Sequence, residues 1–314
     1  MGSNKHVFDK DIIREYDIRG KYKKNLNEKD AYFVGCSIGT YLKNSNIDGK
    51  ICVGYDGRKS SPELKSSLIL GLLDTCFDVI ELGLVPTPVL YYACQTVECI
   101  VAGVVVTASH NPKEDNGFKI VVEKKPLFGD HLKSLSKIAR SGEIKFSKSP
   151  GTLKTININH KYIDKITNPK IHFSDISKIK FTNLKIAWDA SNGAVGIILK
   201  EITQKLVGQH IIINEKIDGN FPSHPPDPTK EENLQQIKTV IFEEKCDFGL
   251  AFDGDGDRLV LINKDGRVFY GDQLLAFFAR DLLERQPNAR IIADIKTSKI
   301  AFDETKRLGG IPIM

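Results

Sequence analysis

Three aspartates at alternate positions give the chain its clearest metal-binding pattern, in the segment D-G-D-G-D-R at residues 253–258. Carboxylates at this spacing repel one another unless a cation lies among them, and the intervening glycines let the backbone curl so that they point inward. Oxygen ligands favour Mg²⁺ or Ca²⁺ over zinc. The expected ligands are Asp253, Asp255 and Asp257. An acidic turn that binds no metal is the alternative.

An EF-hand calcium loop does not fit this segment. Its sixth position requires glycine and is Arg258 here, and its twelfth requires glutamate and is Lys264. The flanking segments also have the pattern of strands rather than helices. A site with three protein ligands leaves coordination positions open for a substrate or phosphate oxygen, and Arg258 adds a rigid donor group for phosphate.

A second segment with chemical potential is T-A-S-H-N-P at residues 107–112, which follows the apolar run Val104–Val106. Ser109 is therefore expected at the carboxyl end of a strand, where α/β sheets bind their ligands, and His110 beside it can carry a proton. An acyl-transfer serine would need a G-x-S-x-G turn, and these glycines are absent. A serine that carries a phosphate and a polar loop that merely closes the strand both remain compatible with these residues.

Lys119 lies in a third segment that could take part in chemistry. Residues 115–117 (D-N-G) are a turn signal, and residues 118–122 have the pattern of a strand that returns toward Ser109. A lysine near that loop can neutralise a phosphate or transfer a proton. An ordinary solvated strand lysine has the same spacing and is the alternative. The proline-rich segment 219–229 contains His224, for which no partner is recognisable, so a structural role is predicted for it.

Strand-like and helix-like segments alternate along the chain and predict an α/β fold. Lys50–Tyr55 has the pattern of a buried strand, residues 56–60 (D-G-R-K-S) that of a polar turn, and Ser61 is the predicted N-cap of the next helix. A strand, an aspartate, a small polar loop and a helix recur in this order three times, with Asp56, Asp189 and Asp294 as the aspartates, which favours repeated domains. The predicted domains are 1–150 with the Ser109 loop, 151–266 with the acidic segment, and an incomplete 267–314, with a linker at 141–149. Residues 263–266 (N-K-D-G) are a second linker candidate or a hairpin turn, because D-G between apolar runs favours a tight turn.

The composition is typical of a globular protein, with 41% hydrophobic and 27% charged residues. The net charge is only +5 and the two signs are mixed, so nucleic acid is a disfavoured partner. No apolar run is long enough to span a bilayer and the N-terminus lacks a signal peptide, so a cytoplasmic location without membrane attachment is expected. Six cysteines lack a C-x-x-C pair, and residues such as Cys52 and Cys76 are predicted to be buried, reduced thiols.

These segments together resemble the α-D-phosphohexomutase superfamily over essentially the whole chain. T-A-S-H-N-P, D-N-G-F-K, the proline-rich F-P-x-H-x-P-D-P and D-G-D-G-D-R occur in this order. E-Y-D-I-R-G at 15–20 and D-I-K at 294–296 are similar to the phosphomannomutase/phosphoglucomutase branch, whereas phosphoglucosamine mutases usually begin with G-T-D-G-x-R-G. The resemblance implies repeated α/β domains with mixed sheets flanked by helices.

The resemblance also implies roles for individual residues. Ser109 would be a phosphoserine, and one of its phosphate oxygens would join the three aspartates as a ligand of Mg²⁺. The hydroxyl of a hexose 1-phosphate would attack the phosphorus and give a hexose 1,6-bisphosphate, which also serves as the activator. Lys119 and His110 are the candidate acid/base groups. The residues expected to contact the phosphosugar are Tyr16, Arg19, Asn111, Arg258 and Lys296.

The sequence departs from the family in its C-terminal part. Family members have four domains, with a G-E-x-S-G-H type loop in the third and an R-x-S-G-T type loop in the fourth, and neither motif occurs here. We therefore expect a chain truncated relative to a four-domain phosphohexomutase, with weak or no turnover alone and with poor packing after residue 267. The alternatives are a split enzyme completed by a second polypeptide, a non-catalytic remnant, and a magnesium phosphatase.

Overall fold

The computed structural model describes residues 4–168 and 184–314. These residues form two mixed sheets of seven and five strands and a parallel pair of strands, flanked by helices, which confirms the predicted fold class. In this described part of the chain, no helix is both long and apolar enough to cross a membrane.

The seven-stranded sheet has its parallel strands at the centre and on one side. Its strands are β1 (Ile18–Lys21), β2 (Lys50–Tyr55), β3 (Asp78–Leu84), β4 (Ile100–Val106), β5 (Asp115–Val122), β6 (Lys125–Pro126) and β7 (Leu153–Thr155). They are ordered β1-β5-β4-β2-β3-β7, with β6 paired to β5. Strand β5 runs antiparallel to β4 and returns Lys119 to the edge that carries the 107–112 loop, as the sequence predicts. Residues 115–117 (D-N-G) pair with β1 as the beginning of β5, so the turn predicted for them is wrong.

Helices cover both faces of this sheet. They are α1 (Glu28–Asn44), α2 (Ser61–Asp74), α3 (Thr87–Thr96), α4 (Gly129–Ser141) and α5 (Asn159–Thr167). Helices α1 and α2 approach so closely at Gly35 that a Cβ there would lie 2.3 Å from the Leu68 carbonyl oxygen, so this approach requires glycine. The N-cap of α2 is Ser60 rather than the predicted Ser61, whose hydroxyl instead donates to Asp56 at 2.6 Å.

The five-stranded sheet contains β8 (Lys185–Asp189), β9 (Gln209–Ile213), β10 (Phe248–Phe252), β11 (Leu259–Asn263) and β12 (Val268–Phe269), in the order β12-β11-β10-β8-β9. Its helices are α6 (Gly196–Lys205) and α7 (Gln235–Glu243). Strands β11 and β12 are antiparallel, so residues 263–266 form the hairpin turn that the sequence predicts. Apolar residues of α6 and β8 pack against those of α3, which joins the two sheets through one core.

The last part of the described chain contains α8 (Gly271–Arg285), β13 (Arg290–Ile292), α9 (Lys299–Arg307) and β14 (Ile311–Ile313). Only a small apolar core forms here, around Ala279, Leu283 and Ile291. Large apolar side chains are solvent-exposed, with Phe277 at 69% and Ile295 at 77%. This exposure confirms the expectation of poor packing after residue 267.

Two further sequence expectations are wrong in detail. The predicted linker at 141–149 is docked, because Lys145 N donates to Thr40 Oγ1 at 3.1 Å and Ser147 N to the Asp74 carbonyl at 2.8 Å. Cys76 and Cys99 are exposed rather than buried. Cys76 follows helix α2 in a turn, where its φ is 65°. Its side chain is exposed there, whereas its apolar neighbours fill the core.

Candidate functional site

The two segments that the sequence singles out meet at the carboxyl ends of their strands. The Ser109 hydroxyl, after β4, donates to Asp253 Oδ2, after β10, at 2.6 Å. Both side chains are fully buried. Glycine is required next to this contact, because a Cβ at Gly254 would lie 2.6 Å from the Ser109 carbonyl oxygen. The serine loop and the acidic segment therefore form one site.

The Ser109 backbone is held in an unusual conformation. Its φ of 53° lies in the left-handed region, which non-glycine residues rarely adopt outside turns and functional sites. Its N–H donates to Thr107 Oγ1 at 2.9 Å, and its carbonyl accepts from the Arg58 guanidinium at 2.8 Å. These contacts fix where the hydroxyl points.

Arg58 and Asp56 support the Ser109 loop of the candidate site, although from the sequence they were expected only to form a polar turn. Arg58 is fully buried and ion-paired to Asp56, with 3.1 Å between Nε and Oδ2. Its other donors bind backbone carbonyls of the 109–115 loop. Asp56 also accepts from the Thr107 hydroxyl at 2.8 Å. The signal was available, since D-G-R directly follows a strand that neighbours β4 in the sheet.

The acidic segment forms a cluster that suits a divalent cation. One carboxylate oxygen from each of Asp253, Asp255 and Asp257 lies within 4.8 Å of the other two. The Lys119 ammonium contacts Asp255 Oδ2 and Asp257 Oδ2, each at 2.5 Å. Asp255 Oδ1 is buried and has no hydrogen-bond partner. A buried carboxylate oxygen without a partner is costly, so a cation ligated there fits this cluster.

Burial and mutual repulsion shape the charges of this cluster. Burial, with Asp255 and Asp257 nearby, raises the pKa of Asp253 well above its usual value. Burial acts on Asp255 in the same direction, but Lys119 and the Thr87 hydroxyl outweigh it and lower the pKa of Asp255. The pKa of Lys119 is raised because its two carboxylate partners outweigh its own burial. One ammonium thus only partly compensates three carboxylates.

His110 is oriented by Arg258. Its Nδ1 lies 2.8 Å from Arg258 Nη1 and 3.4 Å from the Ser109 hydroxyl. A guanidinium can only donate, so Nδ1 accepts and Nε2 carries the proton. Burial and then the charge of Arg258 lower the pKa of His110, which favours the neutral imidazole.

The remaining predicted site residues differ in their distance from this group. Arg19 donates to Asn111 Oδ1 at 2.7 Å, and Asn111 is in the serine loop itself. Tyr16 is 75% exposed, and the centre of its ring lies 6.5 Å from that of Phe128. Lys296 is exposed after β13, and its backbone N–H donates to Asp294. The structure therefore brings Ser109 together with Arg19, Asn111 and the residues described above, whereas no described contact joins Tyr16 or Lys296 to them.

His224 has a partner that the sequence reasoning missed. Its Nε2 lies 2.9 Å from Asp189 Oδ2, at the carboxyl end of β8. Burial lowers the pKa of His224, but the hydrogen bond and charge of Asp189 outweigh this and raise it. The pair fastens the proline-rich loop to the strand next to β10. Asp189 was visible as the aspartate that ends a predicted strand, but its distance from His224 in sequence concealed the pairing.

Comparison with known proteins agrees with this fold. Residues 10–145 match the family described as phosphoglucomutase/phosphomannomutase, alpha/beta/alpha domain I, and residues 160–266 match domain II of the same family. The chain belongs to the phosphoglucomutase/phosphomannomutase family, within the phosphohexomutases, which confirms the resemblance seen in the sequence.

Among curated relatives, the chain is 40% identical to the phosphomannomutase/phosphoglucomutase of Pseudomonas syringae over 303 residues, covering 96% of this chain and 63% of that protein. It is 36% identical to the phosphoglucomutase of Neisseria gonorrhoeae, covering 97% and 64%. A crystal structure of a phosphoglucomutase/phosphomannomutase family protein from Burkholderia thailandensis superposes with a TM-score of 0.89 at 34% identity, covering 98% and 66%. The chain thus spans somewhat less than two thirds of the length of these relatives.

Proposed function

We propose that this chain carries the phosphoryl-donor site and the metal site of a phosphohexomutase of the phosphomannomutase/phosphoglucomutase type. In this reaction the free hydroxyl of a hexose 1-phosphate attacks the phosphorus on Ser109, and the bond between phosphorus and Oγ breaks. The resulting hexose 1,6-bisphosphate turns over and returns its other phosphate to Ser109, which releases hexose 6-phosphate. The observation that carries the proposal is the 2.6 Å contact between the Ser109 hydroxyl and Asp253 of the acidic cluster.

The acidic cluster is the proposed Mg²⁺ site. When bound by Asp253, Asp255 and Asp257 and by an oxygen of phosphorylated Ser109, Mg²⁺ would neutralise negative charge on the transferring group. The unpartnered buried oxygen of Asp255 supports this assignment. A hexose 1,6-bisphosphate is the proposed activator, because it can load an unphosphorylated Ser109.

The residues around Ser109 are proposed to position groups and move protons. Lys119 and His110 are the acid/base candidates, because Lys119 contacts two of the aspartates and His110 Nδ1 lies 3.4 Å from Ser109 Oγ. Arg258 offers a cation on the exposed side of His110 and suits a substrate phosphate. Phosphoryl transfer needs little covalent help, so such positioning and charge neutralisation would dominate.

The phosphosugar would contact residues on the open side of the site, and the proposed contacts are Tyr16, Arg19, Asn111, Arg258 and Lys296. The G-E-x-S-G-H and R-x-S-G-T motifs do not occur in residues 1–314. We therefore propose that the groups which select the sugar and hold its far phosphate come from residues or from a polypeptide outside this sequence. Weak turnover by the 314-residue polypeptide alone is the expected consequence.

Phosphorylation of Ser109 tests the proposal without requiring turnover. The polypeptide is incubated with glucose 1,6-bisphosphate and Mg²⁺, and its intact mass is measured beside Ser109→Ala and a matched control, Ser66→Ala on the exposed face of α2. We expect a gain of one phosphate in the native chain and in Ser66→Ala, and none in Ser109→Ala. No gain in the native chain would favour a non-catalytic binding module, and release of inorganic phosphate without a sugar product would favour a phosphatase.

A further inference from the structure

Two cysteines far apart in sequence place their sulfur atoms together inside the first sheet. Cys52 Sγ on β2 and Cys94 Sγ on α3 are 3.4 Å apart, and both residues are buried. Gly103 on β4 makes room for them, because a Cβ there would lie 2.3 Å from Cys94 Sγ and 3.0 Å from Cys52 Sγ. Within the described ranges, no other two cysteines share such a contact.

A small cavity borders one of these two cysteines. Its volume is about 250 Å³, and it is lined by Tyr91, Cys94, Gln95, Val121, Lys124 and Pro126. Lys124 also lines this cavity and supplies a positive charge there. The cavity is large enough for a peroxide molecule. Cys52 is not among the residues that line it, so Cys94 is the member of the pair nearer to an oxidant in this cavity.

The pKa values of the two thiols are shifted in opposite directions. The hydrogen bond with Cys52 outweighs burial and lowers the pKa of Cys94. The same contact, with burial, raises the pKa of Cys52 well above its usual value. Attack by a thiolate on a peroxide needs one thiol that ionises and a second that resolves the product, and two sulfurs 3.4 Å apart, with one of the two cysteines at a cavity, meet this geometric requirement.

We propose that Cys52 and Cys94 form a peroxide-reactive dithiol that closes to a reversible disulfide. The Cys94 thiolate attacks one peroxide oxygen, the O–O bond breaks, and protonation of the leaving oxygen gives a sulfenic acid and one water molecule. The Cys52 sulfur then attacks the sulfenic sulfur, and its proton leaves with the hydroxyl as a second water molecule. Hydrogen peroxide is reduced by two electrons and the two thiols are oxidised to one disulfide. The sulfurs must approach from 3.4 Å to about 2.05 Å.

The disulfide would join two supports of the candidate site. Strand β2 leads directly into Asp56 and Arg58, which hold the Ser109 loop, and α3 begins at Thr87, whose hydroxyl donates to Asp255 at 2.5 Å. A shift of about 1 Å between groups that position a reaction can slow it by about a hundredfold. We expect oxidation to slow phosphate transfer to Ser109 by at least about tenfold, reversibly with dithiothreitol. This consequence rests on the proposed function, whereas the disulfide itself does not.

Peptide mapping after peroxide treatment tests the disulfide directly. The exposed thiols are first removed in a Cys76→Ser, Cys99→Ser background, which leaves the buried cysteines unchanged. After treatment with one equivalent of hydrogen peroxide, the chain is unfolded in an alkylating reagent and digested. We expect a cross-linked pair of peptides containing Cys52 and Cys94, a loss of two free thiols, and recovery of both with dithiothreitol.

Two variants distinguish disulfide formation between Cys52 and Cys94 from oxidation of other cysteines. Cys94→Ala should retain all its thiols, and Cys246→Ala, which removes another buried cysteine, should still lose two. Circular dichroism before oxidation checks that each variant is folded. If a variant is unfolded, the test rests on whether the parent chain gives the cross-linked peptides that contain Cys52 and Cys94. Free thiols at both Cys52 and Cys94 after peroxide has oxidised Cys76 and Cys99 in the native chain would overturn the proposal.

Discussion

The Ser109 hydroxyl donates to Asp253 Oδ2 at 2.6 Å, although 144 positions separate the two residues along the chain. The contact joins two sheets, because Ser109 follows β4 and Asp253 follows β10. It also joins the two chemical functions that the sequence suggests separately, a phosphate carrier and a metal site. Changes that separate the two loops are therefore expected to impair both functions together.

Removal of one carboxylate charge should weaken metal binding. Asp257→Asn is the most informative change, because Asp257 is the least buried member of the cluster and its loss disturbs the core least. We expect the affinity for Mg²⁺ to fall by at least about tenfold, measured by isothermal titration calorimetry. Asp265→Asn, in the exposed hairpin turn, is the matched control. Equal affinities in Asp257→Asn and the native chain would exclude the cluster as the metal site.

Loss of the Arg58 side chain should destabilise the Ser109 loop. Arg58→Ala leaves the buried Asp56 carboxylate without its ion pair and several loop carbonyls without a donor. Breaking a buried ion pair by removing one partner costs about 3–5 kcal/mol of unfolding free energy. Urea unfolding measures this difference, with Lys59→Ala, the exposed neighbour, as the control. A loss below about 1 kcal/mol would contradict a supporting role for Arg58.

A side chain at position 254 should separate the two loops. The Cβ of Gly254→Ala would lie 2.6 Å from the Ser109 carbonyl oxygen, so the backbone must shift. We expect a loss of about 1–3 kcal/mol in stability and a marked decrease in Ser109 phosphorylation by glucose 1,6-bisphosphate. Gly271→Ala meets no atom within 4 Å and serves as the control. Normal phosphorylation of Gly254→Ala would show that the close approach is dispensable.

The ion pair between His224 and Asp189 should stabilise the fold at low pH. The pKa of His224 is raised in the folded chain, so its contribution is full below the unfolded value of about 6.5 and is lost as pH rises through the folded value. His224→Asn should therefore destabilise the protein more at about pH 6 than at about pH 9. Urea unfolding of both proteins across this range measures the difference. A difference that grows with pH would contradict the assigned pair.

Local patterns in the sequence predicted much of the fold and the main members of the site. The strand Lys50–Tyr55 has the observed bounds, and the hairpin at 263–266 forms as its D-G signal predicts. Ser109 and the aspartates were recognisable because their spacing has a chemical meaning by itself. Lys119 was placed near them by the alternation of strand and turn.

Contacts between distant segments were beyond this reasoning. Burial of Arg58, the pairing of His224 with Asp189, and the meeting of Cys52 with Cys94 depend on how helices and strands pack, which no local spacing encodes. The predicted cap at Ser61 failed by one residue because its hydroxyl bonds to Asp56 across the turn. The burial predicted for Cys76 failed because a turn after α2 reverses the direction of its side chain.

Transfer of phosphate from Ser109 to a sugar tests the central claim most directly. The chain is phosphorylated with glucose 1,6-bisphosphate, freed of the activator, and mixed with glucose 1-phosphate and Mg²⁺ while phosphorus NMR and intact mass are recorded. We predict that the chain loses one phosphate and that an equal amount of hexose 1,6-bisphosphate appears. Phosphate that stays on the chain, or that appears only as inorganic phosphate, would contradict the assignment of Ser109 as a phosphoryl donor to sugars.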